Sequence, residues 1–276
     1  MVPDFLVIGH LVLDATDQGF QPGGTVYYAA YTALRLGRRT AVLTNARPDY
    51  DVAAALPGAA VQAVGSATTI FENQNTPQGR RQRVRGGGTL LTVAAVPAAW
   101  RRAPIVLLGP VLGEVAPALA AAFPESLVGV TPQGWMRQVG PTGWITAVPW
   151  TEAPAVLPWA GAVVLSPEDV GGREAQVQAL AAQARLLVVT EGAHGCRILQ
   201  GGREQHVPAF PAQERDATGA GDVFAAAFLI RLAECGDPQA AAAFANAVAA
   251  CSVEAPGVAG IPTASQVAAR MARYGR

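Results

Sequence analysis

Short apolar runs alternating with helical segments constrain this chain more than any other feature. Residues 5–13 form an apolar run rich in β-branched side chains, which predicts a buried strand. Residues 25–36, opened by Gly23-Gly24, carry helical apolar spacing, and 40–44 is a second short strand. Strand, helix, strand at this spacing is the mark of a parallel sheet. The pattern returns in strands at 105–108, 127–131, 162–165 and 186–190, with helices expected at 114–123 and 173–184. Strands covered on both faces read as continuous apolar runs, as these do. Residues 219–273 are helical in pattern, and the whole of 1–276 is expected to form one α/β domain.

Two stretches break the alternation. Residues 68–85 alternate polar and aromatic side chains around a turn at Pro77-Gln78-Gly79, which predicts a polar hairpin outside the main core. Residues 196–210 predict a second antiparallel hairpin turning at Gly201-Gly202.

The chain contains no lysine, and all 20 basic residues are arginine. That excludes Schiff-base chemistry on a lysine amine. It also excludes a P-loop and the lysine of a protein kinase. A net charge of +0 argues against nucleic-acid and acidic-membrane partners. The three cysteines, Cys196, Cys235 and Cys251, share no metal-type spacing and fit free thiols in a reducing, cytoplasmic setting. The first residues lack a basic segment, and their apolar run is broken by Asp14, unlike a signal peptide. The alanine-rich stretch 238–253 holds Asn246 and fits a buried helix better than a membrane span.

The strongest chemical signal is Asp216-Ala217-Thr218-Gly219-Ala220-Gly221-Asp222-Val223-Phe224. Small residues at a helix N-terminus leave amide N–H groups bare, and the helix dipole adds positive charge. Such a turn holds an anion without lysine. Asp222 at its mouth is placed to accept a hydroxyl proton while the amides hold a transferring phosphoryl group. Capping of the helix by Asp222 is the structural alternative.

This string resembles the C-terminal signature of the PfkB/ribokinase-like carbohydrate kinases, with Ala217 departing at its second position. Further motifs carry the resemblance along nearly the whole chain. Pro22-Gly23-Gly24 before a helix ending at Leu36-Gly37 is similar to the N-terminal signature, and Asp14 matches an aspartate that binds substrate hydroxyls. The run from Val189 to Cys196 looks like the T-x-G-x-x-G nucleotide turn, and Asn246 matches a position near the adenine. The fold so implied is a ribokinase-like three-layer sandwich with a mainly parallel central sheet and a small β-lid that includes 68–85. The activity implied is ATP-dependent phosphorylation of a small sugar or cyclitol. The stretch from Val188 to Asp222 looks similar to the inositol-kinase-like branch.

The resemblance assigns roles residue by residue. Asp222 would be the general base, with Gly219, Ala220 and Gly221 as the anion hole. Asp14, Gly23, Gly24, Tyr28, Phe71, Asn73, Arg81 and Arg137 would meet the acceptor; Arg137 could meet phosphate instead. Ser166, Thr190, Gly192, Gly195 and Asn246 would hold ATP. Mg²⁺ would be bound through water by Asp169 and Glu168, and a monovalent cation such as K⁺ by Asp216 and Thr218. Two positions depart from the family. Its N-x-x-E motif reads Ser166-Pro167-Glu168-Asp169 here, and Tyr28 stands where an asparagine is usual. A nucleoside kinase of the same fold, or a sugar- or nucleotide-binding regulator without turnover, remains open on these residues. His10, His194 and His206 read as structural or surface residues, the five tryptophans as packing. The assembly implied is a monomer or a homodimer with a small polyol substrate.

Overall fold

A computed structural model describes residues 1–76 and 79–275. Its main sheet has nine strands in the order β15-β14-β13-β12-β9-β8-β1-β4-β5. In chain order these are β1 (Phe5–Ile8), β4 (Thr40–Asn45), β5 (Ala60–Val64), β8 (Ile105–Leu108), β9 (Leu127–Val130), β12 (Ala162–Leu165), β13 (Leu187–Thr190), β14 (Cys196–Gln200) and β15 (Arg203–Val207). All neighbours run parallel except at the β13-β14-β15 end, which carries the second predicted hairpin.

Successive strand residues point to opposite faces, so each strand feeds two cores. Phe5, Val7, Val42, Leu107, Val164 and Val188 pack under α1 (Thr25–Arg35), α5 (Ala220–Cys235) and α6 (Pro238–Ser252). Leu6, Ile8, Leu43, Leu108, Val163 and Val189 face Trp100, Leu119, Phe123, Trp135 and Trp150 on the other side. That second layer contains α3 (Ala153–Val156), α4 (Glu174–Ala181) and short 3₁₀ turns. The remaining helices are α2 (Val52–Ala55) and α7 (Ala264–Arg273). The arrangement is the expected three-layer α/β sandwich.

The lid is a four-stranded sheet in the order β3-β2-β6-β7. It joins β2 (Val12–Thr16), β3 (Gly19–Gly23), β6 (Thr69–Thr76) and β7 (Gly79–Arg85). The β6-β7 pair is the predicted polar hairpin, although Pro77 and Gln78 of its expected turn lie outside the described residues. A further short hairpin, β10 (Arg137–Val139) with β11 (Ile145–Ala147), lies beside β7 through a bridge from Arg83 to Trp144.

Two expectations need correction. The apolar run 5–13 is two strands in two sheets. A Cβ at Gly9 would lie 2.3 Å from the Gly109 carbonyl oxygen, so the backbones close together there. His10 then turns inward, its ring nitrogens 3.0 Å from Thr69 Oγ1 and from the Thr89 carbonyl oxygen. Val12 starts the lid. The helix expected at 114–123 shrinks to a 3₁₀ segment, Pro117–Ala122. Proline disfavours helix at the residue before it, and Ala116 is extended. Glu114 is buried and accepts the backbone N–H groups of His10, Val111 and Leu112 instead.

Candidate active site

The strands β1, β8, β9 and β12 end at one edge of the sheet, where open α/β sheets place their ligands. A cavity of about 850 Å³ opens there, between the lid and the N-termini of α1 and α5. Residues from separated parts of the sequence line it: Asp14, Thr25 and Tyr28 from the N-terminal region, Arg137 and Asp169 from the middle, and the 217–222 loop.

The α5 turn forms as the sequence requires. Gly219 is the cap, in the left-handed region at φ +76° and ψ 2°, and the helix starts at Ala220. Asp222 sits in the first helical turn. It is half-buried, because its carboxyl reaches the cavity while protein closes the other sides. Loss of water pushes its pKa from 3.8 up to about 6. A hydrogen bond from the Thr25 side chain and the Arg137 charge pull the other way, while Asp169 adds to the rise.

Thr25 was not singled out by sequence reasoning. It begins α1 directly after Gly24, whose φ is +84° and whose Cβ would sit 2.9 Å from the His10 carbonyl oxygen. Thr25 is buried against Gly109, where a Cβ would come within 2.3 Å of Thr25 Cγ2. The available signal was a hydroxyl residue next to Gly23-Gly24.

At the lid end, Asn73 Nδ2 donates to Asp14 Oδ1 at 2.8 Å, and Gln82 Nε2 donates to Asn73 Oδ1 at 2.9 Å. Asp14 Oδ2 lies over Gly23, where a Cβ would be 2.5 Å away. Phe71 and Gln82 line the cavity. Asn73 is outside the lining and reaches the site through Asp14. Arg81 is also outside it: its guanidinium stacks 4.4 Å from the Trp144 ring centroid. Arg137 lines the cavity and donates to the Val111 carbonyl at 3.3 Å. Glu114 fixes that carbonyl by binding the amides of Val111 and Leu112.

At the opposite end, Ser166, Glu168, Asp169, Thr190, Gly192 and His194 line the cavity. Asp169 accepts from the amide and hydroxyl of Ser166 and from Gln133 Nε2, so it is held in place on both oxygens. Among the described residues no group of three or more His, Cys, Asp or Glu side chains forms a metal cage. A magnesium ion that keeps several waters and binds phosphates needs only one or two carboxylates, and Glu168 with Asp169 fit that demand. Asp216 accepts the amides of Thr218 at 2.9 Å and Gly257 at 2.8 Å, which ties the loop ahead of the helix, and Thr218 lines the cavity. Gly195, at φ +99°, lies against Val207 outside the lining. Asn246 is buried outside it too, donating to the Val207 and Pro208 carbonyls.

Residues 161–264 match the pfkB family carbohydrate kinase model. That segment is similar in sequence, and the chain as a whole is similar in fold, to PfkB/ribokinase-like carbohydrate kinases. It is 45% identical to a Bacillus subtilis ribokinase over 93 residues, 33% of this chain and 31% of the relative. It is 55% identical to a Zea mays inositol 3-kinase over 42 residues, 15% and 11% of the two chains. The chain thus spans less than a third of the length of these curated relatives. In fold it is similar throughout to a pyrophosphate-dependent kinase of the ribokinase family, with TM-score 0.80, 20% identity, and 96% and 99% of the two chains covered. It is also similar to Arabidopsis thaliana ribokinase complexed with ribose and ATP, at TM-score 0.74, 18% identity, and 98% and 99% coverage. No helix among the described residues is long and apolar enough to cross a membrane.

Proposed function

We propose that this protein phosphorylates a hydroxyl of a small sugar or cyclitol, with Asp222 as general base. The observation that carries the reading is the convergence on one carboxylate. Asp222 stands at the N-terminus of α5, bonded by Thr25 and close to Arg137, in a cavity whose far side holds Asp14. Phosphoryl transfer is mostly positioning and charge stabilisation, so these parts suffice without covalent catalysis.

Asp14, steadied by Asn73 and Gln82, accepts hydroxyl protons of the polyol and orients it. Asp222 is ionised above about pH 6 and removes the proton of the reacting hydroxyl. The freed oxygen attacks the terminal phosphorus of the donor, and the bond from that phosphorus to the bridging oxygen breaks. The amides of Gly219, Ala220 and Gly221 and the Arg137 guanidinium stabilise the charge on the moving group. Glu168 and Asp169 would hold Mg²⁺ through water, where it neutralises donor phosphate charge. The loop tied by Asp216 is where K⁺ would sit, near Thr218.

The donor in this reading is ATP, set along Ser166, Thr190 and Gly192. Pyrophosphate is the second reading. It is favoured by the position of Asn246, whose amide is spent on Val207 and Pro208 instead of facing the cavity. Similar solved structures include kinases that use each donor. The test offers the purified protein Mg²⁺, ribose, fructose or myo-inositol, and either ATP or pyrophosphate. Phosphorus NMR then follows sugar phosphate formation. A phosphorylated acceptor with one donor supports the reading and selects the donor. No product with any pair overturns it in favour of a binding protein without turnover.

A further inference from the structure

The hairpin of β10 and β11 is rooted in the body and ends on the lid. At its root, Trp135 and Met136 are buried in the second core, and the Trp135 ring stacks on Trp150 with centroids 5.6 Å apart. The Val148 amide closes the root by donating to the Met136 carbonyl at 2.9 Å. At its tip, the Gly143 carbonyl accepts the Val84 amide of β7 at 2.8 Å, and Arg83 Nε donates to the Thr142 carbonyl at 2.8 Å. Gly143 is left-handed at φ +85°, and a Cβ there would lie 2.8 Å from the Val84 carbonyl oxygen. Since β7 is the last strand of the lid sheet, the hairpin tip covers part of its edge.

The pleat then sorts the side chains. Paired residues share a face, and so do alternate residues along one strand. Arg83 lies opposite Trp144, whose ring carries the Arg81 guanidinium, so these three share the outer face. Gln82 and Val84 lie on the inner face, and so does Ile145, next to Trp144. Ile145 pairs with Val139, two residues from Arg137, which puts Arg137 on that face as well. Ile145 and Val84 pack against a small core of Val12, Phe71 and Val111, which joins lid strands β2 and β6 to the loop after β8. The Val111 carbonyl of that loop is the one that receives Arg137 Nη1. Ile145 itself is outside the cavity lining.

Building on the kinase reading, we propose that this hairpin is a strap between lid and body and that Ile145 is a positioning residue: by keeping the small core closed on Val111, it holds the Arg137 guanidinium where the phosphoryl group passes. Arg137 is the first residue beyond the buried root, so its backbone is fixed by the body and its side chain by the lid contacts. The strap acts through Arg137, so its loss falls on the transfer step. Loss of the Arg81 stack alone leaves the Val84 amide bond, the Arg83 bond and the Ile145 packing in place.

The test is a double-mutant cycle of Ile145→Ala with Arg137→Ala, assayed with ribose, fructose or myo-inositol and either ATP or pyrophosphate. Alone, Ile145→Ala should lower kcat by roughly 3- to 30-fold, the cost of a small misplacement at the reacting centre. Acceptor KM should change by less than about twofold, because the acceptor contacts are intact. With Arg137→Ala already present, Ile145→Ala should lower kcat further by less than about twofold. Ile145→Val, which keeps a branched side chain, should retain most of the wild-type rate. Equal falls in the two backgrounds would overturn the action through Arg137. A raised acceptor KM with kcat unchanged would overturn it too, by making Ile145 part of the acceptor wall. Turnover of no pair by the wild type would instead overturn the kinase reading, and hydrogen exchange then tests the strap without it. Ile145→Ala should speed amide exchange in 137–147 and in 79–85 together. Faster exchange in 137–147 alone would overturn the tie to the lid.

Discussion

Replacing Asp222 by Asn should stabilise the protein while removing its activity. The folded state favours the protonated carboxyl, because its pKa rises from 3.8 to about 6 on burial. The sign follows from linkage. Asp222 supports the fold fully below pH 3.8, and that support is lost as pH rises through about 6. At about 1.36 kcal/mol per pH step, the gap between the two values sets a ceiling of about 3 kcal/mol of destabilisation at neutral pH. Contact with solvent through the cavity reduces this to roughly 1–2 kcal/mol. Asparagine carries no charge at any of these pH values, so Asp222→Asn should raise Tm at pH 7.5 by roughly 2–8 °C. The gain should shrink steadily between pH 6 and pH 4. Differential scanning calorimetry of both proteins across this range measures it directly. The phosphotransfer rate of the variant should fall by about 10²–10⁴-fold, the usual contribution of a general base. A Tm gain that is absent at pH 7.5, or as large at pH 4 as at 7.5, would refute the account of a desolvated, strained carboxylate.

Other perturbations separate the remaining parts. Thr25→Val keeps the shape and removes the hydrogen bond that holds the Asp222 pKa down; the acid limb of the pH–rate profile should move up by roughly one pH step. Arg137→Lys keeps the charge but loses the planar fork, so kcat should fall about tenfold or more while the acceptor KM changes little. Gly109→Ala pushes a Cβ onto Thr25 and should lower the unfolding free energy by about 1–3 kcal/mol through overpacking, measured by urea denaturation. Arg81→Ala breaks the stack on Trp144 outside the cavity, so steady-state rates should stay within about twofold as stability falls by about 0.5–1 kcal/mol.

Much of the sheet was readable because local sequence decides it. Strands 105–108 and 162–165 are buried on both faces, and their apolar runs end where their strands do. The Gly219–Asp222 turn was equally readable, since small residues before an apolar helix have few other uses. Pairing over distance was not. Gly19–Gly23 holds Gly, Pro and exposed side chains, and it is a strand only because β2 lies beside it. The bond between Thr25 and Asp222 joins ends of the chain that no local pattern links. Arg81 and Gln82 are neighbours on one strand, but the pleat sends one to Trp144 and the other to the cavity. The lid strand was visible in the sequence; its register was not. Asn246 sits on the expected helix, yet the carbonyls it meets belong to a segment that reaches it through the fold.

The contact between α1 and α5 also has a consequence for biosynthesis. The face of α1 made by Val26, Ala29, Ala30 and Ala33 packs into the core that α5 completes. Residues 36–219 separate the two helices, 184 positions in all. At translation rates of roughly 5–20 residues per second, α1 waits about 10–40 s on the ribosome before its partner emerges. Through that interval its apolar face lacks the packing that α5 supplies in the finished fold. The part of the cavity lined by Asp14, Thr25 and Tyr28 is made early, and it stays incomplete until the 217–222 loop and α5 close over it.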